Sequence, residues 1–168
     1  MSTPVTAPAL TQRTLLRVLA LPLVALALVL TGLVATAPAA DAASPRIEKI
    51  RKAMRIAVAQ KGDPYRYGAA GPNAFDCSGL IYYSYRKAGF RNVPRTSDSQ
   101  AAAFRGISKR QVRRGDFVYF HRGGDVYHVG IFAGRKNGNK YVLHAPYGSK
   151  RVHRERIWTS SWFAGSLR

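Results

Sequence analysis

The sequence is short of acid, of sulfur and of metal-binding spacings. Only 8 Asp and Glu stand against 27 Lys and Arg, a formal net charge of +19 in 168 residues. So basic a chain is suited to a polyanionic neighbour: nucleic acid, anionic lipid or an anionic cell wall. The single cysteine, Cys77, excludes an intrachain disulfide framework and any Cys-rich zinc module. Nor does any His-x3-His or Cys-x2-Cys spacing support a zinc site built from Cys77 and histidines. No internal repeat or low-complexity tract follows residue 42. The length allows one ordinary domain. At 46% hydrophobic and 11% aromatic residues, the chain has enough apolar surface to offset chain entropy, which excludes wholesale disorder.

The one long apolar run is at the start. Arg13 and Arg17 precede Val18 to Leu30, broken by Pro22 and extended by Leu33 and Val34, with Ala35, Ala37, Ala39, Ala40 and Ala42 following. Basic, apolar and small-residue regions in that order read as a secretory signal peptide over residues 1–42, cleaved after Ala42 or after Ala39. The alternative is an uncleaved anchor. Val18 to Val34 would span roughly 26 Å at about 1.5 Å per residue, slightly short of a ~30 Å hydrocarbon core. Either way residues 43–168 are expected to work outside the cytoplasm, secreted and associated with the wall, touching a membrane only if the segment is retained. Only Arg13, Arg17 and Asp41 among the charged residues fall in 1–42, so a net +18 stays with the exported domain. Outside the cell an envelope rich in carboxylate and phosphate is the expected partner and nucleic acid is not.

Helix signals come first in that domain and strand signals afterwards. Ser44-Pro45 opens an amphipathic helix carrying Ile47, Ile50, Met54, Ala57 and Val58, which closes near Gly62. A loop rich in Gly, Pro and Asn covers Gly62 to Asp76. Asp76 then caps a helix over Cys77 to Ala88, stopped by Gly89, and a short helix follows near Ser97 to Phe104. Strands are predicted at Phe117 to Phe120, His128 to Ala133, Lys140 to Ala145, Lys150 to Arg156 and Trp158 to Leu167. Helices followed by strands predict an α+β domain with an antiparallel sheet.

Cys77 opens a helix, where unpaired N–H groups and the positive end of the macrodipole favour thiolate and can receive an oxyanion. Gly79 lets a backbone or a substrate come close. A thiol nucleophile wants an imidazole base, and the base wants an orienting partner. Of four histidines, His121 and His153 read as surface residues among basic neighbours, leaving His128 and His144. His128 shares a strand face with Gly130 and Phe132. If His144 lies opposite Gly130, the two imidazoles are diagonal neighbours with no side chain between them. A strict two-residue turn at Asn137-Gly138 would instead place His144 opposite Ile131, on the wrong face, so the pairing requires a longer loop or a bulge.

Six blocks occur in order: Tyr65-Arg66-Tyr67-Gly68, Asp76-Cys77-Ser78-Gly79-Leu80, Pro94-Arg95-Thr96-Ser97 with Gln100, Arg114-Gly115-Asp116-Phe117-Val118-Tyr119-Phe120, His128-Val129-Gly130-Ile131-Phe132 and His144-Ala145-Pro146. Together they resemble the NlpC/P60 family of papain-like cell-wall peptidases over about residues 47–168. The resemblance implies a circularly permuted papain-like fold, with the N-terminal helices packed on the sheet. It also implies a catalytic triad of Cys77, His128 and His144 acting through a thioester, with no metal or organic cofactor. The implied substrate is the peptidoglycan stem peptide, cut between D-glutamate and a diamino acid. Tyr65 is implied beside the nucleophile as an oxyanion or substrate contact, and Asp76 and Ser78 as contacts to the amino-terminal side of the substrate, with helix capping as the other role for Asp76. For Arg95 a structural tie is favoured over a substrate carboxylate. Gly68-Ala69 stands where the family often has a glycine pair and Phe117 where an aliphatic is commoner, and neither touches the triad. Only the leader precedes residue 47, so the basic surface is expected to hold anionic wall polymers in place of a separate binding module. The rival readings are an amidase or acyltransferase on the same fold and a catalytically silent cationic envelope-binding protein.

Overall fold

The computed structural model describes residues 44–168, so the expected leader lies outside the described residues. Three helices, α1 (Pro45–Ala59), α2 (Cys77–Lys87) and α3 (Ser97–Ala103), precede six strands. The strands are β1 (Arg105–Ile107), β2 (Phe117–Arg122), β3 (Asp125–Lys136), β4 (Asn139–His144), β5 (His153–Arg156) and β6 (Trp162–Ser166). They form one sheet in the order β1-β6-β2-β3-β4-β5, every pairing antiparallel. This is the expected α+β layout.

Each helix starts where its cap predicts. The Ser44 side chain accepts from the Ile47 N–H with Pro45 in the first turn, Asp76 caps α2, and Thr96 caps α3. Ile50, Ala53, Met54 and Ala57 of α1 and Leu80, Ile81 and Tyr85 of α2 are buried against Phe117, Tyr119, Val129, Ile131 and Leu143 of the sheet. The opposite face of the sheet holds a smaller cluster, Val118, Phe120, Phe132, Val142, Trp162 and Ala164, closed by Val112. Because both faces are covered, β2 reads as an unbroken apolar run rather than an alternating one.

β3 runs past the expected His128 to Ala133 at both ends, from Asp125 to Lys136; two further strands start late and one was not expected. Residues 150–152 pair with the 62–65 loop instead of with β4: Val152 N–H donates to Asp63 O at 2.8 Å and Gly62 N–H to Val152 O at 2.9 Å. The fifth strand therefore begins at His153. The last strand begins at Trp162 because a hydroxyl turn forms first, Ser161 N–H donating to Thr159 Oγ1 at 3.1 Å. β1, three residues with a central glycine, shows no alternation that a sequence could reveal.

The register between β3 and β4 decides where the histidines go. The turn is the strict two-residue one: Lys136 pairs with Asn139, with Asn137 at φ 50° and Gly138 at φ 75°. A bulge at Ala133, next to Gly134 at φ 107°, then shifts the register, so that Phe132 faces Val142 and Ile131 faces Leu143. That one extra residue carries His144 opposite Gly130. A methyl group at position 130 would collide with Val142 Cγ2 and stand 3.0 Å from His144 Cβ, so only glycine leaves room for the ring.

Candidate active site

The turn that presents Cys77 is fixed by Asp76. Asp76 Oδ1 accepts from Gly79 N–H at 2.6 Å and from the Ser78 hydroxyl at 3.2 Å, and Oδ2 accepts from Gly68 N–H at 3.0 Å. Arg95 grips the same carboxylate with both terminal nitrogens, Nη2 to Oδ2 at 2.6 Å and Nη1 to Oδ1 at 3.0 Å, and also donates to Ala69 O at 3.2 Å. Gln100 Nε2 donates to Ser78 O and to Pro94 O, tying α3 to the same turn. Gly79 is needed because a Cβ there would run into the Ala69 carbonyl. Asp76 and Ser78 are both buried with their polar atoms engaged inside the protein. They build the turn under Cys77, which is the capping role given as the other one for Asp76. Arg95 is the structural tie it was read to be.

Cys77 is half-buried and free of any disulfide. The Val129 backbone N–H reaches that sulfur, joined by the amides of Ser78 and Cys77 itself, and these donors favour the thiolate. Burial outweighs them and pushes the thiol up, with the Asp76 carboxylate adding to the rise. This reverses the direction expected from the helix terminus alone: in the resting site the sulfur is a thiol. Tyr65 lies within electrostatic reach of both Cys77 and Asp76, and its phenol is also pushed up, chiefly by burial, so at neutral pH it remains a donor. Its ring meets Tyr147 edge-on, centroids 5.5 Å apart.

One residue before Val129, His128 Nε2 stands 2.8 Å from His144 Nδ1. Both rings are buried, His144 to 1% exposure. Burial pushes both imidazoles well below the usual histidine range; the facing His144 adds to the effect on His128, and His153 and Lys150 to that on His144. The pair is therefore neutral, with one proton in the bond between the rings and His128 Nδ1 left to face other partners. Phe120 and Trp158 stack with centroids 4.2 Å apart, and Trp158 lies 5.5 Å from the His144 ring, shielding the pair. A cleft of about 410 Å³ opens beside it, lined by Tyr127, His128, His144, Tyr147, Lys150 and Glu155 among others.

The structure thus brings His128 and His144 into contact and sets Cys77 against the backbone of β3 at Val129, the residue after His128, with Tyr65 within electrostatic reach of the sulfur. Three neighbours were not foreseen. Glu155 Oε2 lies 3.1 Å from His144 Nε2, Trp158 covers the rings, and His153, read as an ordinary surface residue, pairs across strands with His144 at a centroid distance of 5.0 Å. The available signal was the alternation His153-Arg154-Glu155, which puts both side chains on one strand face. His121 lies on β2 away from this group, its ring 5.9 Å from Phe163. Asp116 of the Arg-Gly-Asp block is structural: fully buried, it accepts from Ser166 Oγ at 2.7 Å, from Arg113 N–H at 2.7 Å and from Arg168 Nε at 3.1 Å, anchoring the C-terminal residues.

A domain with helices on an antiparallel sheet, a helix-opening thiol and a buried imidazole pair on adjoining strands defines a recognisable class. The sequence pattern of the NlpC/P60 family matches residues 62–166, and the chain belongs to that family. It is 41% identical over 110 residues to a probable endopeptidase of Corynebacterium glutamicum, covering 65% of this chain and 49% of that protein, so the chain spans about half the length of this relative. Among solved structures it is similar to the NlpC/p60 domain of the peptidoglycan hydrolase SagA, with a TM-score of 0.62 and 28% identity, covering 70% of this chain and 98% of the other. It shares its fold with RipD of Mycobacterium tuberculosis, described as a non-catalytic NlpC/p60 domain protein adapted to peptidoglycan binding; the TM-score is 0.60 at 21% identity, covering 71% and 98%. The same fold therefore accompanies both hydrolysis and mere binding, and the side chains have to decide.

Proposed function

We propose that the chain is an exported cysteine peptidase that cuts peptidoglycan stem peptides, between D-glutamate and a diamino acid, with Cys77, His128 and His144 as its triad. The observation that carries the reading is the 2.8 Å contact between His128 Nε2 and His144 Nδ1 beside a half-buried thiol at a helix start. A silent wall-binding protein has no use for a neutral, shielded imidazole pair next to a free sulfur. The names of its relatives point to the same substrate class.

The chemistry follows from the tautomers. With Nε2–H of His128 donating to Nδ1 of His144, His128 Nδ1 is a base for the thiol. As the sulfur attacks the peptide carbonyl, its proton passes to His128 Nδ1, and no preformed ion pair is required. The Cys77 N–H and the Tyr65 hydroxyl receive the oxyanion. His128 then returns the proton to the leaving amine nitrogen, giving a thioester, and water delivered through His128 hydrolyses it and frees the sulfur. His144 holds the tautomer and carries part of the charge on His128 when it is protonated. The basic surface concentrates the chain on anionic wall polymers: one cleft of about 450 Å³ is lined by Arg51, Arg55, Arg113, Arg114 and Arg168. That attraction weakens between low and high salt, because exposed charges are screened.

The test is digestion of purified wall fragments by the full chain and by Cys77→Ala, with released peptides identified by mass spectrometry. New amino termini on the diamino acid, produced only by the wild type, are expected. Equal wall binding by both proteins with no peptide released by either would sink the peptidase reading in favour of the binding one. Transfer of the acyl group to an added amine in preference to water would favour the acyltransferase.

A further inference from the structure

On the side of His144 turned away from His128, three donor atoms converge with no proton-transfer duty in the mechanism above. His144 Nε2 is buried and makes no hydrogen bond among the described residues. Glu155 Oε2 stands 3.1 Å from it, and His153 Nε2 stands 3.5 Å from the same oxygen. All three atoms lie within 4.8 Å of one another. Tetrahedral zinc with bonds of about 2.0–2.2 Å places neighbouring ligand atoms roughly 3.3–3.6 Å apart; the 3.5 Å edge already has that length, and the 3.1 Å edge has to open slightly. His153 Nδ1 lies 2.8 Å from the Arg151 carbonyl. Donation to that carbonyl leaves Nε2 with its lone pair free, the usual way in which a protein aims an imidazole at a metal. Glu155 and His153 are part-exposed at about two-fifths each, and the cleft of about 410 Å³ reaches Glu155 and His144, which gives an entry path and room for a water as fourth ligand. Lys150 lines the same cleft and opposes a cation, and the Glu155 carboxylate offsets it.

We propose that His144 Nε2, His153 Nε2 and the Glu155 carboxylate form a binding site for one zinc-like divalent cation that switches off the adjoining histidine pair. Two imidazoles, one carboxylate and an open position are a donor set that zinc takes readily. The switch is a matter of tautomers. A metal on His144 Nε2 forces the ring proton onto Nδ1. That nitrogen then donates to His128 Nε2, so the single proton of His128 moves to Nδ1. The nitrogen that should accept the thiol proton now carries one, and Cys77 has no base. One metal ion 2 Å from His144 thus acts on a sulfur that it never touches. The binding site stands on geometry alone, whereas its inhibitory consequence rests on the peptidase reading.

The probes are Zn²⁺ and Co²⁺ added to the full chain after chelator treatment. Equilibrium dialysis should find one equivalent of Zn²⁺, and Co²⁺ should give visible ligand-field bands without the sulfur charge-transfer band of a thiolate ligand. His153→Ala and Glu155→Gln should each weaken binding by at least about tenfold, while Cys77→Ala binds as the wild type does. Loading the site should slow alkylation of Cys77 by iodoacetamide about tenfold or more in the wild type and leave the rate in His153→Ala unchanged. Binding abolished by Cys77→Ala, or untouched by His153→Ala, would overturn the site. Binding through the trio with an unaltered alkylation rate would overturn the switch. A chain that binds zinc as described yet releases no wall peptides when metal-free would leave the site standing and remove the peptidase reading, so the two fail separately.

Discussion

The two flanks of Cys77 are built on opposite terms. On the α2 side, nearly every polar atom is matched: the Asp76 carboxylate takes two backbone N–H groups, a hydroxyl and a two-pronged arginine, all buried or half-buried. On the sheet side, two imidazoles share one hydrogen bond, and the outer nitrogen of His144 makes no hydrogen bond among the described residues, its nearest carboxylate being the part-exposed Glu155 at 3.1 Å. The first arrangement has a single low-energy state and can only hold position. The second has two tautomeric states of similar geometry, which is what a proton-transfer device needs. Rigidity is supplied by one flank and chemistry by the other, and substitutions should separate them.

The largest separation comes from His128→Gln. Its amide can still donate to His144 Nδ1, so unfolding free energy should change by less than about 1 kcal/mol. Without a base, kcat/KM on wall fragments should fall by at least about 10³-fold, or ~4 kcal/mol of transition-state stabilisation. An active His128→Gln would move the base elsewhere. Arg95→Met should do the reverse. It leaves a buried carboxylate without its cation and should lower stability by on the order of 3 kcal/mol in a denaturant titration. The alkylation rate of Cys77 in the fraction that remains folded should change little. A stable Arg95→Met would show that the backbone donors alone hold Asp76.

How much of this was legible in the sequence depends on whether the cause is local. Ser44 and Asp76 mark their helices because a cap is a contact with residues two or three positions away, and Thr96 carries the same signal for α3, which went unread. The thiol at a helix start and the two histidines were legible for the same reason. The sharing of one face by His128 and His144 was not, because it depends on whether Ala133 is in or out of the ladder. The turn residues Asn137-Gly138 alone point to the wrong register. The need for a bulge could be deduced, but not its position at Ala133, which leaves Phe132 facing Val142 in the smaller cluster. His153 and Glu155 were lost to the same kind of cause. Their place beside His144 comes from strand pairing across an eight-residue excursion, 145–152, two-thirds of the way through which the chain turns to pair with the 62–65 loop. The state of the thiol was misjudged because a helix terminus can be read from sequence and the burial that opposes it cannot.

Gly130→Ala tests the register itself and should have the next effect in size. The added methyl meets Val142 Cγ2 and His144 Cβ, neither of which is the free end of a flexible chain. Relief of so close a contact requires β4 to move by roughly 1 Å to reach van der Waals distance, taking His144 Nδ1 away from His128 Nε2. A displacement of that order in a catalytic group is associated with roughly 10²-fold in rate, and overpacking with about 1–3 kcal/mol in stability. Both flanks would be affected by one methyl group, unlike the two substitutions above. A Gly130→Ala protein with full activity would mean that the imidazole contact tolerates slack and is not the controlling geometry.

Tyr65→Phe should have the smallest effect. Its hydroxyl is one of two donors assigned to the oxyanion, and the other is a backbone N–H that no substitution removes. A single oxyanion donor in a closed site is worth roughly 10²–10³ in rate, but Tyr65 is only half-buried, and water can stand in for its hydroxyl. The expectation is a fall of about tenfold, carried by kcat with KM nearly unchanged, since a donor aimed at the oxyanion acts in the transition state alone. A change in KM at constant kcat would make Tyr65 a substrate-binding ring, held edge-on by Tyr147, and would leave the Cys77 N–H as the only oxyanion donor assigned. That outcome would sharpen the contrast between the flanks, because the oxyanion would then be received entirely by the rigid one.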